Sequence, residues 1–396
     1  MSAENPKTAK MPLLAGLSHS RDATGKETVV PAAEASLTSN TPISAWDMQL
    51  KKIGPYQIIK VLGFGGVGTV FEAMDTHIHR KVALKVLNRK WTKDEVAKAR
   101  FIREAKLSAM IKSPHVAMIH TVGEDDGVPY LAMELLSGFS LEQFRKESNL
   151  TMQQVIRLAR EMAKGLAAAH SQNLIHRDIK PANIWLETLP DSSGGDKKMY
   201  RVKILDFGLA RLEEQNEGLT RFGVVLGTPS YMSPEQFNGS RVDARSDLFS
   251  LGVVLYQLCT GSLPFQGNDV GEIWDAISRL NPVSAREMNA EVPDKFSRLI
   301  DRLLSKMPQH RPPDAINVVR LVENIEQEEE RRLMKQTARK LPQQAVPPGS
   351  ATESPPAKVS SDILPLFKIM LIASLITNLV LMIGMGMLIY LLLTRQ

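Results

Sequence analysis

Residues Leu174–Trp185 read LIHRDIKPANIW. Three polar side chains stand close together in this run: Asp178, Lys180 two residues on, and Asn183 three further. A carboxylate can take a proton from an attacking hydroxyl, an ammonium can neutralise charge building on a transferred group, and an amide oxygen can bind a metal ion. A polar turn between two strands would carry similar residues, so the run is informative only if partners for this chemistry occur elsewhere in the chain.

The first partner lies upstream. Tyr56–Val61 (YQIIKV) has the β-branched and aromatic composition of a strand. It leads into LGFGGVGTVFEAM, where Gly63, Gly65 and Gly68 form G-x-G-x-x-G. That pattern also occurs in dinucleotide-binding folds, where it must open a helix so that helix N-terminal amides meet the pyrophosphate. Here Thr69-Val70-Phe71 continues as a second β-like run. The arrangement predicts a glycine-rich hairpin, Gly63-Phe64-Gly65-Gly66-Val67-Gly68-Thr69, folded over a nucleotide, with Leu62 and Val70 covering the base. Glycines let backbone amides approach phosphates without side-chain clashes.

Val82-Ala83-Leu84-Lys85 reads as the next strand, and Thr92–Ile111 as a helix with Phe101, Leu107 and Ile111 on one face. Tyr130–Leu135 reads as a buried strand ending at Ser137-Gly138. Thr151 and Gln154 form a capping-box pattern, and Val155, Leu158, Met162 and Leu166 follow at helical spacing, giving a core helix to about His170. Asp191–Lys198 (DSSGGDKK) is a turn-rich insertion. Val202–Leu205 is a short strand running into Asp206-Phe207-Gly208. Further on stand GTPSYMSPEQ, an apolar helix opening at Ser246-Asp247-Leu248, and QHRPPDA, whose Asp314 can cap a last helix to about Arg332.

Taken together, these ordered motifs resemble the bacterial, eukaryotic-like serine/threonine protein kinases over about Tyr56–Ile325. The resemblance implies an α+β, two-lobed fold: a small five-stranded sheet with one helix, a larger helical lobe, and ATP between them. It implies transfer of the γ-phosphoryl group of ATP to a protein Ser or Thr hydroxyl. Asp178 would orient and deprotonate the hydroxyl, and Lys180 would stabilise developing charge. Lys85, held by Glu104, would position the phosphates. Asn183 and Asp206 would hold Mg2+, or Mn2+ in its place. Ala83, Met133, Trp185 and the backbones of Glu134 and Leu136 would surround the adenine; Trp185 replaces the family's usual Leu or Met, and Ser108 its usual larger apolar residue. Asp206–Glu235 resembles an activation loop, with Thr220 as the leading candidate for phosphorylation, Thr228 as a poorer one, and Arg177 as the partner of the phosphate. Thr228 would also bond Asp178 and Lys180. Asp247 resembles the family's brace of the catalytic loop, and Arg311 the partner of Glu235. A kinase-like scaffold without transfer activity and a small-molecule kinase are the alternatives; a complete motif set and Ser233-Pro234-Glu235 speak against them.

The 396 residues carry 49 basic and 43 acidic side chains, a net charge of +6, with no basic block that would mark a nucleic-acid partner. The single Cys259 excludes an internal disulfide framework and fits a reducing compartment. Residues 1–55 read as a flexible arm without a signal-peptide core, 56–325 as the catalytic domain, and 326–362 as a charged helix end and Pro-rich linker. Ile369–Leu393 contains no charged residue; as a helix it spans about 37 Å, against about 30 Å of hydrocarbon. Residues 363–393 are thus expected to cross the cytoplasmic membrane once, with the domain on the ATP-containing cytoplasmic side and only 394–396 beyond. Protein substrates, the membrane and, for autophosphorylation in trans, a second copy of the chain are the expected partners.

Overall fold

Alternating β-branched and polar residues from Tyr56 onward build an antiparallel sheet. The structure, a computed structural model, describes residues 50–147, 150–189, 199–207 and 229–340. The chain divides into two compact units, Met1–Ala338 and Arg339–Gln396. Apart from the last two residues of one helix, the described residues belong to the first.

The sheet contains β1 (Lys52–Ile53), β2 (Tyr56–Phe64), β3 (Gly68–Asp75), β4 (Arg80–Leu87), β5 (Ile119–Asp125) and β6 (Val128–Glu134). Its order is β1-β2-β3-β4-β6-β5, antiparallel throughout. It has six strands where five were expected, because two residues of the expected arm pair with β2 and bury Ile53. The pleat sends Val82, Leu84 and Val86 of β4 to one face, with Phe71, Ala132 and the edge-packed Tyr56–Tyr130 pair. Ala83, Lys85 and Leu87 take the other face. There Leu87 and Leu131 pack on Ala97, Phe101 and Ala105 of α1 (Glu95–Ala109), capped by Asp94.

The second lobe is helical. It holds α2 (Leu141–Glu147), α3 (Met152–His170), α4 (Pro234–Phe237), α5 (Ala244–Thr260), α6 (Val270–Arg279), α7 (Ala285–Met288), α8 (Asp294–Leu303) and α9 (Ala315–Lys340). The Thr151–Gln154 capping box starts α3 as its sequence predicts. α5 opens at Ala244, two residues before the expected start, because Asp243 caps it; Gly261 ends it in the left-handed region at φ +77°. Asp314 accepts the Asn317 amide at 2.7 Å, and α9 continues past Arg332 to Lys340. One large core joins α3, α5 and α8, with the Phe249 and Phe265 rings stacked 5.8 Å apart. A small sheet of β7 (Gly138–Ser140), β8 (Ile184–Leu189) and β9 (Met199–Ile204) lies at the start of this lobe. It carries the residues of interest at its ends.

Among the described residues no helix is long and apolar enough to cross a membrane. The expected span at 363–393 and the insertion at 191–198 lie outside the described residues.

Candidate active site

Asp247 anchors the LIHRDIKPANIW loop. It sits in the first turn of α5 and is fully buried. Its Oδ2 accepts the His176 amide at 2.8 Å and His170 Nε2 at 2.7 Å, and its Oδ1 accepts the Arg177 amide at 2.8 Å. Burial pushes the Asp247 carboxyl up, but the His170 hydrogen bond, the two nearby imidazoles and the Arg177 amide outweigh it and hold the group below the usual carboxylate range. Arg177 has φ +69°, a conformation that costs a non-glycine residue about 1–3 kcal/mol. It persists because both sides of the residue are held: its amide by Asp247, and its carbonyl by Gln236 Nε2 at 2.7 Å.

That turn delivers Asp178. Its Oδ2 accepts Asn183 Nδ2 at 2.8 Å and lies 2.8 Å from Lys180 Nζ. Asn183 Nδ2 also donates to the Asp178 carbonyl at 2.8 Å. With its nitrogen committed to Asp178, Asn183 presents its amide oxygen as the group left for a metal ion.

The Asp206 segment is stitched to the same loop. The Leu205 amide donates to the Asn183 carbonyl at 2.9 Å, and His176 Nε2 donates to the Leu205 carbonyl at 2.7 Å. His176 therefore carries its proton on Nε2, leaving Nδ1 to accept the Asp178 amide at 3.2 Å. The buried Phe207 ring packs edge-on against His176 at 4.6 Å. Asp206 itself has φ +57°, and its Oδ1 lies 2.8 Å from Lys85 Nζ. Burial raises its carboxyl; the charge and hydrogen bond of Lys85 outweigh that and keep it low, hence ionised at neutral pH. An ionised carboxylate and an amide oxygen on stitched segments suit a hard divalent ion such as Mg2+. No group of three or more His, Cys, Asp or Glu among the described residues could cage an ion without outside help. This donor set therefore fits an ion that takes its remaining ligands from phosphate and water.

Lys85 is 6 % exposed on β4. The sequence leads one to expect Glu104 of α1 as its partner; in the structure Lys85 forms an ion pair with Asp206. The turn at Asp206 brings a carboxylate within contact of the ammonium, and that pair forms. Lys85→Met should lower transfer about 10²–10³-fold, the loss typical when one charge-stabilising donor is removed. Unaltered turnover in the purified variant would remove Lys85 from the phosphate site.

Several other expected site residues share one face of the sheet by register. Gly63 pairs with Val70, Val70 with Lys85, and Ala83 with Met133. Leu62 is 44 % exposed beside the β2 irregularity. Trp185 Nε1 donates to the Ser137 carbonyl at 3.0 Å, tying β8 to the connection after Leu136. Gly68 sits against β4, where a Cβ would lie 2.5 Å from the Val86 carbonyl oxygen. Two members of the glycine-rich run turn inward: Val67 packs in the α1 core, and Thr69 is 1 % exposed with its hydroxyl on Asn88 Oδ1 at 3.3 Å. Only their backbones can face a ligand. Sequence reading misses Lys203, which is buried against Glu134 at the end of β6. Its Nζ lies 2.5 Å from Glu134 Oε1, which also accepts the Met118 amide at 2.7 Å. A lysine inside the otherwise apolar VKIL strand is the signal that could have found it. Thr220, Thr228 and most of the expected activation loop lie outside the described residues.

Beyond the loop, Glu235 and Arg311 form a buried bidentate pair, Oε1 to Nη1 at 2.6 Å and Oε2 to Nη2 at 2.9 Å. The pairing expected from the sequence is present.

Residues 56–334 match the protein kinase domain family. The chain belongs to the protein kinase family. The serine/threonine-protein kinase pkn3 of Myxococcus xanthus is 39 % identical over 269 residues, covering 66 % of this chain and 48 % of that protein. The serine/threonine-protein kinase PknD of Mycobacterium tuberculosis is 35 % identical over 262 residues, covering 66 % of this chain and 38 % of that one. The chain thus spans less than half the length of these relatives. The crystal structure of a cysteine-to-alanine mutant of the Mycobacterium tuberculosis PknI kinase domain superposes with a TM-score of 0.53 at 24 % identity, covering 69 % of this chain and 96 % of that domain, a likeness of fold. The two-lobed protein kinase fold, with a β-sheet lobe followed by a helical lobe, is therefore present, and the curated relatives that it matches are serine/threonine-protein kinases.

Proposed function

We propose that this protein transfers the γ-phosphoryl group of ATP to serine or threonine hydroxyls of proteins. The observation that carries the reading is the Asp178–Lys180–Asn183 cluster stitched through the Leu205 backbone to the Lys85–Asp206 pair. Asp178 takes the proton of the acceptor hydroxyl at its carboxylate and orients the oxygen for attack. Lys180, already at that carboxylate, follows the charge onto the transferred group. Lys85 holds the phosphates in line. A divalent ion at Asn183 and Asp206, when bound, neutralises phosphate charge. Catalysis of this kind rests on positioning and electrostatics more than on covalent chemistry.

The kinase is further proposed to modify its own activation loop at Thr220, whose phosphate Arg177 would bind through its guanidinium. After incubation of the full chain with Mg-ATP, mass spectrometry should find phosphate on Thr220 and none in the Asp178→Asn variant. Phosphate confined to other residues would reject Thr220, and no phosphate on any protein substrate would reject the transfer reading itself.

The uncharged stretch Ile369–Leu393 supports a single membrane anchor that keeps the kinase domain at the cytoplasmic face. Deleting 363–396 should move the protein from washed membranes to the soluble fraction with its kinase activity intact. Retention of the truncated chain in the membranes would contradict the anchor.

A further inference from the structure

The tip of the glycine-rich hairpin is held from one side by two residues that neither the motif nor the reaction assigns. Asn88 follows β4, and Trp91 lies one short turn later. Asn88 Nδ2 donates to the Gly65 carbonyl at 2.9 Å and to the Gly66 carbonyl at 3.0 Å. Trp91 Nε1 donates to the same Gly66 carbonyl at 3.1 Å. The Asn88 amide donates to the Val67 carbonyl at 2.9 Å. Three consecutive carbonyls of the tip are thus fixed to one connection. Asn88 is itself held, by the Thr69 hydroxyl on its Oδ1 and by the Trp91 amide on its carbonyl at 2.8 Å.

Peptide planarity turns this into a statement about the amides. In a trans peptide the N–H points opposite the C=O of the same unit, and the described chain has no cis peptide bond. Pinning the Gly65 and Gly66 carbonyls toward Asn88 and Trp91 therefore aims the Gly66 and Val67 amides away from that connection. The Gly65 amide is spent on the Gly68 carbonyl at 3.0 Å. Those of Gly66 and Val67 donate to no group among the described residues. Two successive amides aimed the same way form a small concavity suited to an anionic oxygen. A bare glycine-rich tip would leave these peptides free to rotate, since glycine populates many backbone conformations.

We infer that Asn88 and Trp91 are positioning residues that pre-set the Gly66 and Val67 amides for the phosphates of the nucleotide. The inference rests on the reading of the hairpin as a phosphate cover. Ordering the tip before the nucleotide arrives removes a cost that binding would otherwise carry.

The test compares Asn88→Leu and Trp91→Phe with the wild type in the full chain. Calorimetry measures the affinity for AMP-PNP with Mg2+ and, separately, for adenosine, which lacks phosphates. Asn88→Leu removes both side-chain hydrogen bonds to the tip carbonyls, besides the one from Thr69, and should weaken AMP-PNP binding about tenfold or more; Trp91→Phe keeps an aromatic ring, removes one bond and should weaken it about threefold. Adenosine affinity should stay within about twofold in both, because the brace acts on the phosphate end alone. An equal loss for both ligands would assign Asn88 and Trp91 a general structural role, and unchanged or tighter AMP-PNP binding would show that they do not set the amides; either overturns the inference. Should Asn88→Leu fail to fold, Trp91→Phe decides. A wild type that binds AMP-PNP no better than adenosine would instead overturn the phosphate reading of the hairpin.

Discussion

Replacing Asp178 by Asn should lower phosphoryl transfer by about 10²–10⁴-fold, the range for loss of a positioned general base. Asparagine keeps the size of the side chain but cannot take the hydroxyl proton. The fold should survive. The Asp178 side chain is about a third exposed, and its ion pair with Lys180 is of the partly solvated kind worth at most about 1 kcal/mol. The loop backbone is held by Asp247 and Gln236, which the substitution leaves alone. AMP-PNP affinity should change little, since Asp178 serves the acceptor and not the nucleotide. The measurement is transfer to a generic protein substrate with a preparation free of other kinases. Retention of more than about a tenth of wild-type turnover would remove Asp178 from the role of base.

The second large effect concerns stability. Arg311→Met should destabilise the domain by about 3–5 kcal/mol at neutral pH, the cost of leaving one member of a buried ion pair alone. Arg311 is 2 % exposed and also donates to the carbonyls of Ser305, Lys306 and Arg245, so the variant strands three acceptors besides Glu235. The pH dependence has a definite sign. Burial raises the Glu235 carboxyl, and the Arg311 hydrogen bonds and charge, with the Ser246 hydroxyl, more than reverse this and hold it below the usual carboxylate range. A carboxyl lowered on folding adds stability above its unfolded pKa and loses it as pH falls through the folded value. The deficit of Arg311→Met should therefore be full at pH 7 and shrink in acid. Adding Glu235→Gln should restore part of it, because the stranded charge is removed. Urea unfolding at pH 7 that shows a loss below about 1 kcal/mol would contradict the buried-pair account.

How far the sequence carries depends on how local the deciding chemistry is. Asp178, Lys180 and Asn183 meet within one turn, so their spacing alone places them together. Asp206 and Phe207 join them through hydrogen bonds between short segments whose motifs are readable. The elements that sequence pattern misses lack a periodic signal. β1 has two residues, too few for alternation, and exists because β2 offers it an edge. The last turns of α9, EEERRLMKQTARK, carry no apolar stripe; Arg331–Lys335 are exposed, and charge pairs and helix propensity extend the helix beyond the core. The Lys85–Asp206 pair could not be read from the sequence, because the two residues lie far apart along the chain and a backbone turn at φ +57° brings the carboxylate to the ammonium. Asn88, Trp91 and the Lys203–Glu134 pair are tertiary facts, visible only once the hairpin, β6 and β9 are packed.

The central claim is that Lys85, Asp178, Asn183 and Asp206 surround one triphosphate. A crystal structure of the protein with AMP-PNP and Mg2+ tests it directly. The account predicts the glycine-rich hairpin over the phosphates, Lys85 against the α- and β-phosphates, the ion between Asn183 and Asp206, and the γ-phosphate facing Asp178. A nucleotide bound elsewhere, or an ion without Asn183 and Asp206 among its ligands, would contradict it.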